Sequence, residues 1–337
     1  MTIYINQCQH YLPNGAVDNT LLAQRFGLNA DWISLFLGNT SRYFATDLVS
    51  GEVKKSLCDI ATEAAQEVMQ KELLTSEDLD FIVLSTATPD QLMPATVNLV
   101  AERLGAKNVP TFQLQSGCTG AMQAISLARS LLLSGEYKRG LVIGADVCSK
   151  FIDPTKDYAQ SDANEQINFA LFGDGAGALI MSTQPTGLGW EITQFSCRFT
   201  GLELPPGQIV NWRGLRETDD VMLMEDYKAI EAHVPKLAAE MLDNLWTAAA
   251  SEGNEIDWYL PPQLSGRMTH HIVNELGLSR DKVINCVHET GNNGNALPFV
   301  QLSYLRDRME DKQSAMLIAI ESSKWIQAGM LIRKEAV

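Results

Sequence analysis

The 337-residue sequence is short of several things at once. Its six cysteines, at positions 8, 58, 118, 148, 197 and 286, form no Cys-x-x-Cys pair and lie scattered through apolar context. No basic n-region followed by an apolar h-region opens the chain, so a reduced, cytoplasmic setting without a metal is expected. Long hydrophobic runs are missing too. Stretches such as Ala315–Ile320 fall far below the ~20 residues that a membrane span requires, and a soluble protein with no membrane partner is expected. Positive charge is scarce: 26 Lys and Arg against 41 Asp and Glu leave a net −15. That balance excludes a sequence-independent nucleic-acid binder, which gains affinity by neutralising phosphates. Any anionic ligand has to meet a local basic patch. With 45% hydrophobic and 20% charged residues the composition is that of a globular protein, not of a collagen-like or disordered one. Folding at this length buries roughly 75% of the unfolded chain's surface, enough for a core that needs no staple.

Short apolar or β-branched runs alternate with helical periods, the pattern of an α/β protein with buried strands. In the first half, strands are predicted at Asp80–Ser85, Pro110–Gln115, Gly140–Ala145 and Ala176–Met181. Helices are predicted at 56–72, 94–104 and 119–134, the last stopped by Gly135. Ser56 and Asp59 stand near the start of the first, and Pro94 suits the first turn of the second. The second half repeats the order: helix 228–250, strand Asp257–Leu260, helix 264–276, strand 283–287, helix 296–308, then strands 315–320 and 326–332. Element order therefore implies a duplication, with halves 1–185 and 186–337 packed into one five-layered α-β-α-β-α body. Segments 150–168 and 191–225 read as loops that shape an entrance or a subunit contact.

In open α/β sheets, ligands gather where strand ends run into helix N-termini. The run Thr111-Phe-Gln-Leu-Gln115 passes through Ser116-Gly117 into Cys118-Thr119-Gly120 and a long helix. Two glycines permit a tight turn, and a helix N-terminus favours thiolate over thiol, the requirements of a nucleophilic cysteine. A buried structural cysteine is the alternative at this point, and the reading for Cys58, Cys148 and Cys286. Gly173-Asp-Gly-Ala-Gly177 lacks the spacing and the following helix of a dinucleotide loop and reads as a glycine turn packing a strand.

Three segments, Gln115-Ser-Gly-Cys-Thr-Gly-Ala-Met-Gln-Ala124, Phe172-Gly-Asp-Gly-Ala-Gly-Ala178 and Gly291-Asn-Asn-Gly-Asn-Ala296, resemble in order and spacing the signature regions of β-ketoacyl-acyl-carrier-protein synthase III, in the thiolase superfamily. The likeness runs over nearly the whole chain and implies a thiolase-like fold with an acyl group carried on Cys118. It also implies a histidine and an asparagine that stabilise the enolate formed when malonyl-carrier protein loses CO2. Asn292 falls on the asparagine position; capping the helix that follows is compatible with that role. The histidine is absent. Where the family has Pro-His-Gln-Ala-Asn, this chain has Trp258-Tyr-Leu-Pro-Pro-Gln-Leu-Ser265, with Pro262 at the histidine position and Ser265 at the asparagine after it. One acid–base partner is worth about 10²–10⁴ in rate. Acylation needs only the thiolate and two amides as an oxyanion hole: that of Cys118 and, by family position, that of Ser323 in Glu321-Ser-Ser-Lys324, where the family has glycines. His288 and Glu289, just before Asn292, are the possible replacement acid or base, with solvent-facing side chains as the alternative. His270 and His271 read as surface residues.

By the same resemblance the donor is an acyl-carrier protein or acyl-CoA, with no further cofactor. Trp32 is kept from the CoA adenine site, but Phe36 replaces an arginine, which favours the carrier-bound donor. Arg267 is the leading carrier-docking residue, ahead of Arg213, Arg216 and Lys228, each with solvated surface charge as the alternative. Met93, in Gln91-Leu-Met-Pro94, matches a residue that closes the partner's acyl pocket across a homodimer interface. Three readings stay open: an acyltransferase of specialised polyketide or fatty-acid-derived metabolism that loads Cys118 and passes the acyl group to an amine, hydroxyl or carbon; a decarboxylative synthase with a relocated acid–base residue; and a non-catalytic synthase-like partner subunit.

Overall fold

A computed structural model describes residues 1–153, 155–211, 223–251 and 255–335. Nine strands build one sheet: β1 (Tyr4–Tyr11), β2 (Phe81–Thr86), β3 (Thr111–Gln115), β4 (Arg139–Asp146), β5 (Gly175–Ser182), β6 (Trp190–Phe199), β7 (Trp258–Leu260), β8 (Ser314–Glu321) and β9 (Ile326–Lys334). Their order is β7-β8-β9-β6-β1-β5-β4-β2-β3. Going inward from one edge, β3, β2 and β4 are parallel, and β5 and β1 follow antiparallel. From the other edge, β7 and β8 are parallel and β9 and β6 follow antiparallel. The two runs meet where Tyr4 and Ile5 pair with Glu191 and Trp190. The repeat expected from element order is thus present in the connectivity.

Six helices cover the sheet: α1 (Leu57–Lys71), α2 (Thr96–Arg103), α3 (Gly120–Leu133), α4 (Tyr227–Ser251), α5 (Gly266–Glu275) and α6 (Leu297–Arg306). α1 starts on a capping box between Ser56 and Asp59, and α3 is stopped at Gly135, whose φ is 80°. The layering follows from strand alternation. In β2, Phe81 and Val83 face the central core while Ile82 and Leu84 face the core under α1 and α2; in β8, Leu317 and Ala319 face the centre while Met316, Ile318 and Ile320 face the core under α4 and α5. α3 packs on β2 and β4 of one run and on β6 and β9 of the other, and α6 on β1, β5 and β7. Helices, half-sheet, central helices, half-sheet and helices make five layers.

Three expectations need correction. Segment 283–287 is no strand: one parallel bridge, Val283 to Tyr259, is all that remains of it, because Val287 already turns into a short helix, Val287–Thr290. Segment 191–225 is not all connection, since Trp190–Phe199 pairs along β9; only its first positions are deeply buried, so the apolar signal fades along the strand. Segment 150–168 runs into a helix, Ala163–Leu171, capped by Asp162. Pro94 stands before α2, which starts at Thr96.

Candidate active site

Cys118 sits in the turn between β3 and α3, held from both sides. Ser116 N–H donates to Thr86 O at 3.3 Å and Gly120 N–H to Gly117 O at 2.8 Å. Gly120 has to be glycine: a Cβ there would stand 2.1 Å from both Asn295 Oδ1 and Ser85 Oγ. Asn295 comes from the other half and ties the turn down. Its Nδ2 donates to Ser116 O at 3.0 Å and to Asp146 Oδ2 at 2.9 Å, and its Oδ1 accepts from Ser85 Oγ at 2.7 Å.

A cleft of about 360 Å³ opens on Cys118, lined also by Pro262, Gln263, Leu264, Asn292, Gln301 and Ile318–Ile320. Asn292 is buried and fixed on three sides: its N–H donates to Leu171 O, its carbonyl accepts from Gly173 N–H, and its Oδ1 accepts from Gly294 N–H at 3.1 Å. The glycine run 173–177 therefore serves as expected, as a turn leading into β5, with no helix after it. Pro262 occupies the wall where an imidazole was sought. Its loop is held by Gln263, whose Oε1 accepts from Cys286 and Val287 N–H and whose Nε2 donates to Ile284 O at 2.6 Å. Ser265 caps α5 through Met268 N–H.

The other expected residues fall elsewhere. His288 and Glu289, half-exposed, lie 4.0 Å from each other, and Tyr304 Oη donates to Glu289 at 3.0 Å; neither His288 nor Glu289 is among the residues lining the Cys118 cleft. Trp32 stacks on Phe36 with ring centroids 5.1 Å apart. That segment packs on the start of α5 through Asn39, which accepts from Gly266 N–H and donates to Val287 O, so exposed Arg267 neighbours it. Met93 is exposed, on the turn after β2. Lys228 is exposed at the start of α4. Arg213 and Arg216 lie outside the described residues. Ser323 sits in the turn from β8 to β9 with its hydroxyl on Glu321 Oε1.

Glu321 is the residue that the sequence reading passed over except as a lost glycine. At the end of β8, its buried carboxylate crosses from the second half onto the nucleophile turn. Oε2 accepts from Thr119 Oγ1 at 2.6 Å and from Thr119 N–H and Ser116 Oγ at 3.2 Å each. This corrects the expected thiolate. Burial raises the Cys118 thiol above its ordinary range, and the charges of Glu321, Asp146 and Glu225 raise it further, against the pull of the helix N-terminus. Only spatial proximity of β8 to the turn reveals that, and no local spacing carries it.

Two family models match, for 3-oxoacyl-[acyl-carrier-protein] synthase III over residues 112–201 and for its C-terminal part over 247–328. The chain is 33% identical to the β-ketoacyl-[acyl-carrier-protein] synthase III of Streptococcus gordonii, over 87% of this chain and 86% of that protein. The chain belongs to the β-ketoacyl-acyl-carrier-protein synthase III family. The synthase III of Neisseria gonorrhoeae is 31% identical over 85% and 84% of the two chains. Among solved structures, AbyA1, a tetronic acid condensing enzyme, superposes with a TM-score of 0.93 at 41% identity, covering 98% of this chain and 100% of that one. The synthase III structure from Pseudomonas aeruginosa shares the fold, with a TM-score of 0.85 at 22% identity over 100% and 99%. Membership makes the chain a condensing or acyl-transferring enzyme with a thiolase-like fold. Among the described residues no helix is long and apolar enough to cross a membrane.

Proposed function

We propose that the protein is an acyltransferase of the synthase III type that loads an acyl group from a carrier-protein thioester onto Cys118 and passes it to an acceptor nucleophile without releasing CO2. The observation that carries this reading is the cleft itself, which joins Cys118 to Asn292 while presenting Pro262, a side chain with no donor and no titratable group, in its wall. In the acylation step the sulfur bonds to the thioester carbon, the carbon–sulfur bond to the carrier breaks, and the thiol proton ends on the departing thiol. The Cys118 amide at the start of α3 supports the oxyanion. Transfer then reverses the roles, with the acceptor's nucleophilic atom taking the acyl carbon and its proton returning to Cys118.

Decarboxylation is a poorer fit on electrostatic grounds. A malonyl carboxylate entering the cleft would meet a nucleophile already surrounded by Glu321, Asp146 and Glu225, and like charges close together in a half-buried site repel strongly. The likeness to AbyA1, a condensing enzyme, keeps a carbon nucleophile among the acceptors, provided its carbanion arises without loss of CO2. Trp32, Arg267 and the α5 start form the face on which the carrier docks, and a homodimer places Met93 at the partner's pocket.

The test is intact-mass measurement after incubation with an acyl-carrier protein, paired with CO2 release from malonyl-carrier protein. An acyl adduct that Cys118→Ala abolishes, without CO2, is expected. Release of CO2 at the rate of turnover would overturn the non-decarboxylative part, and absence of any adduct would overturn the whole.

A further inference from the structure

The acyl-transfer reading needs a temporary home for one proton in each half-reaction, and the inference here rests on that reading. None of the residues lining the cleft is a histidine. The groups that act most strongly on the Cys118 sulfur are acidic and come from three directions: Glu321 at the end of β8, Asp146 at the end of β4, and Glu225 from the strand Leu223–Glu225. Cys148, which follows Asp146 closely in the chain, also feels Cys118.

These groups are not equivalent. Asp146 is consumed by structure: its Oδ1 accepts from Thr86 Oγ1, Ala87 N–H and Thr88 Oγ1, and its Oδ2 from Asn295 N–H and Nδ2, all between 2.8 and 3.0 Å. Five donors lock it as an anion between the halves. Glu321 is held differently. It touches the two residues that bracket the nucleophile, since Oε2 receives the hydroxyls of Ser116 and Thr119 and the Thr119 N–H, and a Cβ on Gly117 would stand 3.0 Å from its carboxyl carbon. Gln123 Nε2 donates to both of those hydroxyls, at 2.8 and 3.0 Å, which turns them toward the carboxylate. Oε1 takes only the Ser323 hydroxyl among the described residues. Cys197, on β6, is the further titratable group that feels Glu321.

We infer that Glu321 and Cys118 share one proton, so that Glu321 is the positioning and proton-holding residue for acyl transfer in this histidine-free site. At rest the proton is on sulfur and the carboxylate is charged. As sulfur attacks the donor carbonyl, its proton moves to Glu321, and from there to the thiolate that leaves with the carrier. In the second step the acceptor's proton moves to Glu321 as its nucleophilic atom takes the acyl carbon, and then to the Cys118 sulfur as it departs. Each half-reaction begins and ends with Glu321 ionised, and no outside acid, base or oxidant is needed. Two interacting acids close together titrate as a pair, the first loss of a proton making the second harder.

The experiment measures two rates on the full-length protein across pH: alkylation of Cys118 by iodoacetamide, and single-turnover acyl loading from an acyl-carrier protein, both by mass. In the unmodified protein the alkylation midpoint lies above the ~8.5 of an ordinary thiol. In Glu321→Gln, which keeps the size of the side chain and removes its charge, the midpoint falls by about one unit. Alkylation at neutral pH therefore rises roughly tenfold, while acyl loading at the same pH slows by about 10²-fold or more. Opposite changes in the two rates are the signature of a proton partner, and Glu321→Asp restores both toward the parent. A parent midpoint at or below ~8.5 would overturn the inference even if the variant failed to fold. So would a variant in which both rates fall together or neither moves. If the parent alkylates but never loads an acyl group, acyl transfer itself fails instead, which keeps the two outcomes apart.

Discussion

Gly120 shows how tightly the nucleophile turn is built at the scale of single residues. Its missing side chain is replaced by the Asn295 amide and the Ser85 hydroxyl, each 2.1 Å from where a Cβ would lie. Gly120→Ala is therefore expected to cost about 1–3 kcal/mol by overpacking and to displace Cys118, with thermal denaturation and acyl loading both showing the loss. Asn295 is buried with each polar side-chain atom paired. Asn295→Ala leaves Ser85, Ser116 O and Asp146 each short of a partner, and should destabilise by about 2–4 kcal/mol, measured by chemical denaturation; a change below ~0.5 kcal/mol would contradict its role. At this scale much of the site was legible in the sequence. Cys118, its glycines and Asn292 stand in local motifs whose spacing reports a turn. Glu321 was not, because it reaches the turn from a strand some 200 positions later, and a lone glutamate after an apolar run looks like any strand end.

At the scale of elements, what was legible followed from burial on both faces. β2, β4, β5 and β8 are buried along their whole length, β4 but for Arg139 at its start, and such strands read as continuous apolar runs flanked by helical periods. Trp190–Phe199 is buried only at its first and third positions, so its pattern weakens toward Phe199 and it was read as connection. Segment 283–287 has the apolar residues of a strand, yet Gln263 takes the N–H groups of Cys286 and Val287. Those donors are lost to a sheet ladder and the chain turns into Val287–Thr290. The substitution Gln263→Leu releases them, and loosens the loop that carries Pro262. Such a variant should retain the fold while acyl transfer to the acceptor slows more than loading of Cys118, a split that single-turnover measurements with and without acceptor resolve; equal slowing of both steps would contradict it.

For the whole molecule, the central layer decides cooperativity. α3 and α6 pack on strands of both runs, and the central core draws on Phe81, Met122 and Ile125 from one half and on Phe299, Leu317 and Met330 from the other. Neither half keeps that core alone, so the two should unfold together. Five of the six tryptophans lie beyond residue 185, whereas helical circular dichroism samples both halves. Their denaturation midpoints should coincide, and two separated transitions would contradict a shared core. The repeat itself was legible from element order, because each half needs the same buried strands and covering helices. The joining of the runs through Tyr4 and Ile5 with Glu191 and Trp190 was not, since pairing between distant strands leaves no local trace.

The central claim is that Cys118 carries the acyl group in transit. Rapid quenching of the protein mixed with an acyl-carrier protein, followed by digestion and peptide mass analysis, tests it most directly. The account predicts an acyl group on the peptide containing Cys118 that accumulates within one turnover and disappears when acceptor is added. An unmodified Cys118 throughout product formation, or an adduct that persists in the presence of acceptor, would contradict it.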